Sequence, residues 1–207
     1  MKAWHFLNND KRLAHGDGRL VRVGHTLKCN PDKIELCHYG FHGSQKIMDA
    51  LKYAYGDIVC RVELGGRIIK AHDKCVASER TVIAMADAGE TLHLFACWCA
   101  EQALQLVENP DPRSIAAIQA KYKWLRGEIT DNELDAARDA ARDATWTSGW
   151  ASMNAARSTA VWASSTTSWN TERHAARNAI GTDLAARDAV RAAQNLKLTR
   201  MVKELLK

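Results

Sequence analysis

The spacing of hydrophobic positions changes along the chain. Up to about residue 85 they fall in short extended runs separated by turns. "KAWHFL" opens, "DIVCRVELGG" alternates up to a Gly-Gly stop, "RIIK" follows, and "KCVASERTVIAM" is again β-branched and extended. "HGDGRLVRVG" carries the Gly/Asp turn chemistry of a hairpin. One helix interrupts the strands: in "SQKIMDALKYA", Ile47, Leu51 and Ala54 recur at helical spacing, with Ser44 as the expected N-cap. From Ala86 to Val107 the period becomes helical through Leu92, Phe95, Ala96, Cys99, Ala103 and Leu106, until "ENPDP" stops it. A second helix is expected over Pro112–Arg126. Thr130 and Glu133 then form an S/T-x-x-E capping box that starts a new helix at Asp131. The pattern predicts an α+β protein: a small β-sheet head over 1–85, a helical connector over 86–129, and a helical region over 130–207.

That last region changes the picture by its composition. "LDAARDAARDATW" and "ERHAARNAIGTDLAARDAVRAAQ" are Ala-rich and punctuated by Arg, Asp and Trp. Alanine is the best helix former, and its small side chain lets helices approach closely. Trp146 and Trp150 share one helical face, whereas Trp162 and Trp169 share another. One straight helix cannot bury both against a single partner. The tract is expected either to fold back near 164–168, with Gly181-Thr182 as a second break, or to assemble with other copies through residues 131–207.

Hydrophobic content of 46%, charged content of 26% and a net charge of +5 are those of an ordinary globular chain. Neither half holds the dense basic stripe of a phosphate-backbone binder, so nucleic acid is not the expected partner. The first fifteen residues lack the apolar core of a signal peptide. No run approaches the ~20 apolar residues of a membrane span. The expected location is the cytoplasm, where the six cysteines stay reduced. Cys97-x-Cys99 has neither zinc nor redox spacing. Cys37, His38 and His42 lack a fourth ligand, so no metal is expected. Walker, GxGxxG and GxSxG motifs are absent from the sequence.

Candidate chemistry gathers in "GFHGSQKIMDALKYA", residues 40–54, where a loop bearing a histidine ring runs into a helix that reaches Tyr53. His5 precedes it in the first strand. Glu79 follows in "VASERTVI", where a carboxylate in an apolar strand needs a partner such as Lys74 or Arg80. This order resembles the ADP-ribosyltransferase fold of the histidine–tyrosine–glutamate type. The resemblance implies that His5 binds a ribose, that His42 and Tyr53 are the two rings holding nicotinamide, and that Glu79 is the catalytic acid. It also implies that "CRVELGG" is the central strand. The family usually has a tyrosine where His42 stands, which moves the expectation from turnover towards binding. Nearly the whole chain also resembles a group of phage and prophage proteins, some loosely labelled as immunity proteins, with "MKAWHF", "DK-x-VASERT" and an Ala-Ala-Arg-Asp-rich tail.

The expected function is therefore that of a phage-encoded binder of an ADP-ribose- or NAD-like nucleotide, sequestering a host defence signal in the bacterial cytoplasm. The expected ligand-binding residues are His5, Phe41, His42, Ser44, Tyr53, Lys74 and Arg80. No cofactor is required, and NAD or ADP-ribose is the expected ligand. One alternative is an ADP-ribosyltransferase or NAD glycohydrolase using Glu79. A second is a non-catalytic partner-binding module acting through its Ala/Trp helices.

Overall fold

A computed structural model of the chain describes residues 1–14, 17–143 and 184–207. It has the expected α+β composition. The strands are β1 (Lys2–Leu7), β2 (Thr26–Lys28), β3 (Phe41–Gly43), β4 (Ile58–Lys70) and β5 (Cys75–Asp87). The helices are α1 (Ile47–Leu51), α2 (Gly89–Leu104), α3 (Pro112–Leu125), α4 (Asp131–Asp143) and α5 (Leu184–Leu205). Two compact units result: Met1–Gly89 with Leu198–Lys207, and Glu90–Lys197. The four tryptophans from 146 to 169 and both expected breaks, at 164–168 and 181–182, lie outside the described residues.

The first unit is an antiparallel sheet in the order β1-β4-β5-β2, with β3 also on β5. β2 and β3 share the outer edge of β5, β2 against residues 79–81 and β3 against 75–77. β4 is longer than the sequence pattern suggested, because Gly65-Gly66 does not stop the strand, and β5 runs two residues beyond its expected end, to Asp87. The ladder shifts register between Gly65 and Ile68 and resumes at Ile68 opposite Ala77. Gly66 has φ +66° and a Cβ there would lie 2.1 Å from Ser78 Oγ, so this step of the bulge admits only glycine. The Ser78 hydroxyl accepts the Arg67 N–H at 3.0 Å, satisfying a donor that the shift frees from the ladder.

Ala3, Leu7, Val62, Leu64, Ala77 and Val82 form the buried apolar face of this sheet. Two polar side chains interrupt it. His5 stands opposite Cys60, and Arg80 opposite Leu64, so the register sets both on that same face. α1 packs against β1. It starts later than expected, at Ile47, and Lys46 is its N-cap without a side-chain bond. Ser44 does not cap it. Its main chain is taken into an isolated bridge with Trp4, N–H to O at 2.9 Å and O from N–H at 2.7 Å. That bridge holds the 40–44 stretch extended until α1 begins.

In the second unit the helices follow the sequence closely. α3 begins after Asp111, whose carboxylate accepts the Arg113 N–H at 2.9 Å. α4 begins after the capping box: Thr130 N–H donates to Glu133 Oε2 at 2.8 Å, and Glu133 N–H to Thr130 Oγ1 at 3.3 Å. α2 is shorter than its apolar period, because Ala86 and Asp87 are held in β5 and Leu106 is exposed beyond the helix. Cys97 and Cys99 are buried thiols in α2, and none of the six cysteines is in a disulfide among the described residues.

His93 in α2 is buried edge-on to Trp124. Burial, and then the charge of Lys121, push its pKa down to about 4 from an ordinary 6.5. The unfolded chain therefore takes up the proton first. This contribution to stability is complete above pH 6.5 and is lost as the pH falls towards 4, amounting to about 3 kcal/mol. Urea midpoints measured across pH 7 to 4 are expected to fall more steeply for the wild type than for His93→Phe. Parallel profiles would remove His93 as the cause.

Candidate functional site

An open cavity of about 830 Å³ lies wholly within the first unit, a size suited to a nucleotide-scale ligand. β1 supplies His5, β3 supplies Phe41 and His42, and β5 supplies Arg80. Ser44, Tyr53 and Lys74 also line it. All seven residues expected to bind ligand therefore meet at one concavity, although they span 76 positions of sequence, from 5 to 80.

Each ring is held differently. Phe41 is buried, and the guanidinium carbons of Arg19 and Arg80 stand 5.5 and 5.4 Å from its centroid. The His42 Nε2 accepts the Cys37 N–H at 3.0 Å, so a neutral ring carries its proton on Nδ1. Cys37 makes this bond from a left-handed backbone, φ +69°. Tyr53 lies in the turn after α1 and is 41% exposed. Its hydroxyl donates to Asp73 Oδ2 at 2.8 Å, and the Lys74 ammonium sits 4.5 Å from its ring centroid. Lys74 reaches the Cys37 sulfur at 2.8 Å, which ties the Tyr53 wall to the His42 wall. Tyr39 and Tyr55, also largely exposed, widen the aromatic rim.

His5 is half-buried. Burial first, and then the charges of Arg80 and His42, push its pKa well below the ordinary value, so it is neutral at pH 7. Arg80 is 2% exposed. Its Nη1 donates to the His42 carbonyl at 3.0 Å, while Nε is buried and meets no acceptor among the described residues. Burial pushes its pKa down to about 10, against the favourable but weaker fields of Cys60 and Asp17. The wall is strongly cationic. Arg12, Arg19, Lys74 and Arg80 face one carboxylate, Asp17, among the described lining residues. Asp17 is itself gripped at two points by Arg19, both at 2.7 Å.

Glu79 is not in the cavity. It neighbours Arg80 on β5, and alternation turns it to the other face of the sheet, where its Oε1 pairs with Lys28 Nζ of β2 at 2.9 Å. Its charge is thus met by a structural ion pair, with Lys28 as partner instead of Lys74 or Arg80. Arg12, Arg19, Tyr39 and Tyr55 went unrecognised in the sequence. Arg19 sits in the stretch read only as a turn, and nothing local marks the tyrosines as exposed.

Among the described residues no three His, Cys, Asp or Glu side chains converge for a metal ion. None of the described helices is long and apolar enough to cross a membrane.

Every residue of the cavity falls in one matched segment. Residues 1–94 match a family model described as a domain of unknown function (DUF7666). The match covers all five strands, the whole cavity lining and the start of α2, and it ends before α3. No curated protein and no solved structure matches the chain. The DUF7666 match thus coincides with the sheet and its cavity.

Proposed function

We propose that the head binds an ADP-ribose- or NAD-like nucleotide and holds it without turning it over. The observation that carries this reading is the meeting of His42, Phe41 and Tyr53 around one cavity from which Glu79 is excluded. Aromatic faces bind a flat base or nicotinamide by stacking, at about 1–3 kcal/mol per base. His5, neutral and able both to donate and to accept, suits a ribose hydroxyl. A transferase needs a carboxylate beside the ribose whose bond is breaking, to stabilise developing positive charge. Here Glu79 lies on the opposite face, and Asp17 is neutralised by Arg19. In a phage-infected cell, such a binder would sequester a host signalling nucleotide. The resemblance to phage proteins supports that context.

Calorimetric titration of the full chain with NAD, ADP-ribose and cyclic ADP-ribose is expected to give saturable heat with at least one of them. Tyr53→Ala is expected to weaken it by about 1–3 kcal/mol, and Glu79→Gln to leave it unchanged. Absence of heat with all three would contradict the binding reading. Release of nicotinamide from NAD, lost in Glu79→Gln, would restore the enzymatic one.

A further inference from the structure

The guanidinium of Arg80 is an unfinished contact. It carries five N–H donors, and the hydrogen bond it makes among the described residues is the one from Nη1 to the His42 carbonyl. Nε is buried and meets no acceptor among the described residues. The Nε and Nη2 hydrogens point the same way in a planar guanidinium. They form the edge that grips two oxygens side by side, as in arginine–phosphate pairs. A purely structural arginine at 2% exposure has its charge met by a carboxylate, because an unpaired buried charge is strongly unfavourable. The one carboxylate among the described lining residues, Asp17, is bound at both oxygens by Arg19. Of the other titratable groups around Arg80, His5, His42 and Arg19 add neutral or positive character and the buried Cys60 is a neutral thiol, so the field of Asp17, shared with Arg19, and the Phe41 ring are what meet its charge.

We propose that the Nε–Nη2 edge of Arg80 is a phosphoryl-binding subsite in this cavity, so that its ligands carry phosphate and are not free nucleosides. A phosphoryl group fits better than a carboxylate for two reasons. It offers three oxygens to a wall that already holds Arg12, Arg19 and Lys74 besides Arg80. It also carries enough negative charge to meet more than one of them. The proposal deepens the nucleotide reading and shares its cavity, but it does not depend on ring stacking.

The test uses the full chain with inorganic pyrophosphate, sodium sulfate, adenosine and ADP-ribose as probes, by calorimetry and by thermal shift. Pyrophosphate is expected to bind the wild type and to raise its melting temperature, with sulfate competing and adenosine far weaker than ADP-ribose. Arg80→Met is expected to lose at least tenfold in pyrophosphate affinity. Arg80→Lys, with the charge but not the two-donor edge, is expected to fall between the two. Circular dichroism checks that each variant is folded. Should Arg80→Met fail to fold, Arg80→Lys and sulfate competition on the wild type carry the test alone. Unchanged pyrophosphate binding in the arginine variants, or none in the wild type, would overturn the subsite. Pyrophosphate binding without any ADP-ribose binding keeps the subsite and removes the nucleotide reading. ADP-ribose binding that ignores Arg80 does the reverse.

Discussion

Gly40→Ala is expected to destabilise the head by about 3 kcal/mol and to abolish its ligand cavity, although it adds a single methyl group. Gly40 has φ +119°, a backbone conformation open to glycine and strained for any L side chain. A Cβ there would lie 2.6 Å from Val76 Cγ2 and 3.1 Å from the Ala77 carbonyl oxygen. Both neighbours belong to β5, inside the sheet, and neither is a flexible side-chain tip that can swing away. The chain can relieve the clash only by lifting β3 off the edge of β5. Phe41, His42 and the carbonyl that takes the Arg80 hydrogen bond all lie on β3. Loss of stability and loss of the site should therefore come together. Gly24→Ala is the control: φ is +80° there, but nothing lies within 4 Å, so only the conformational strain of about 1 kcal/mol applies. Urea denaturation of the two variants distinguishes them. Equal effects would mean that the close approach of Gly40 to β5 is not what fixes β3.

Arg80→Met is expected to do the opposite, making the ligand-free protein more stable by about 1–3 kcal/mol while removing its anion binding. The guanidinium is held charged in the fold at a pKa lowered to about 10 from an ordinary 12.5, with burial as the main cause. That displacement corresponds to a destabilisation of roughly 3 kcal/mol, offset in part by the hydrogen bond to the His42 carbonyl. The sign follows from linkage. The folded value lies below the unfolded one, so the penalty is constant at every pH below 10 and diminishes only above it. The gain in Arg80→Met should thus be the same at pH 6 and pH 8. Methionine has a similar reach, and its apolar chain can pack on Phe41 and the sheet. A gain in stability bought with a loss of binding marks a residue kept for its ligand. A loss of more than about 2 kcal/mol would instead make Arg80 a structural strut.

How much of this was legible in the sequence depended on how local the information is. α3 and the start of α4 were read nearly to the residue, since a Pro at the first turn and a Thr-x-x-Glu box are complete within a few residues, whereas the apolar stripe of α2 runs about three residues past each of its ends. Gly65-Gly66 was misread for the opposite reason. A glycine pair ends a strand or bulges it, and the choice is made by β5, ten residues and more away. The same holds for Glu79 and Arg80. Alternation says that adjacent residues face opposite sides, but only pairing with β2 and β4 decides which of the two enters the cavity. The sequence order of His5, His42 and Tyr53 did anticipate one cavity. The cationic wall around it did not show, because Arg19 comes from a stretch read only as a turn and nothing local marks Arg12 as part of the site. Ser44 was misassigned as a cap because its bridge to Trp4 is a contact across 40 residues.

The central claim, that this cavity holds a phosphorylated nucleotide between two rings, is tested most directly by a crystal structure of the full chain soaked with ADP-ribose. The account predicts density for a flat base between His42 and Tyr53, with a phosphate oxygen within hydrogen-bond distance of Arg80 Nε and no ligand atom near Glu79. An empty cavity at a saturating concentration, or ADP-ribose bound beside Glu79 on the other face of the sheet, would contradict it.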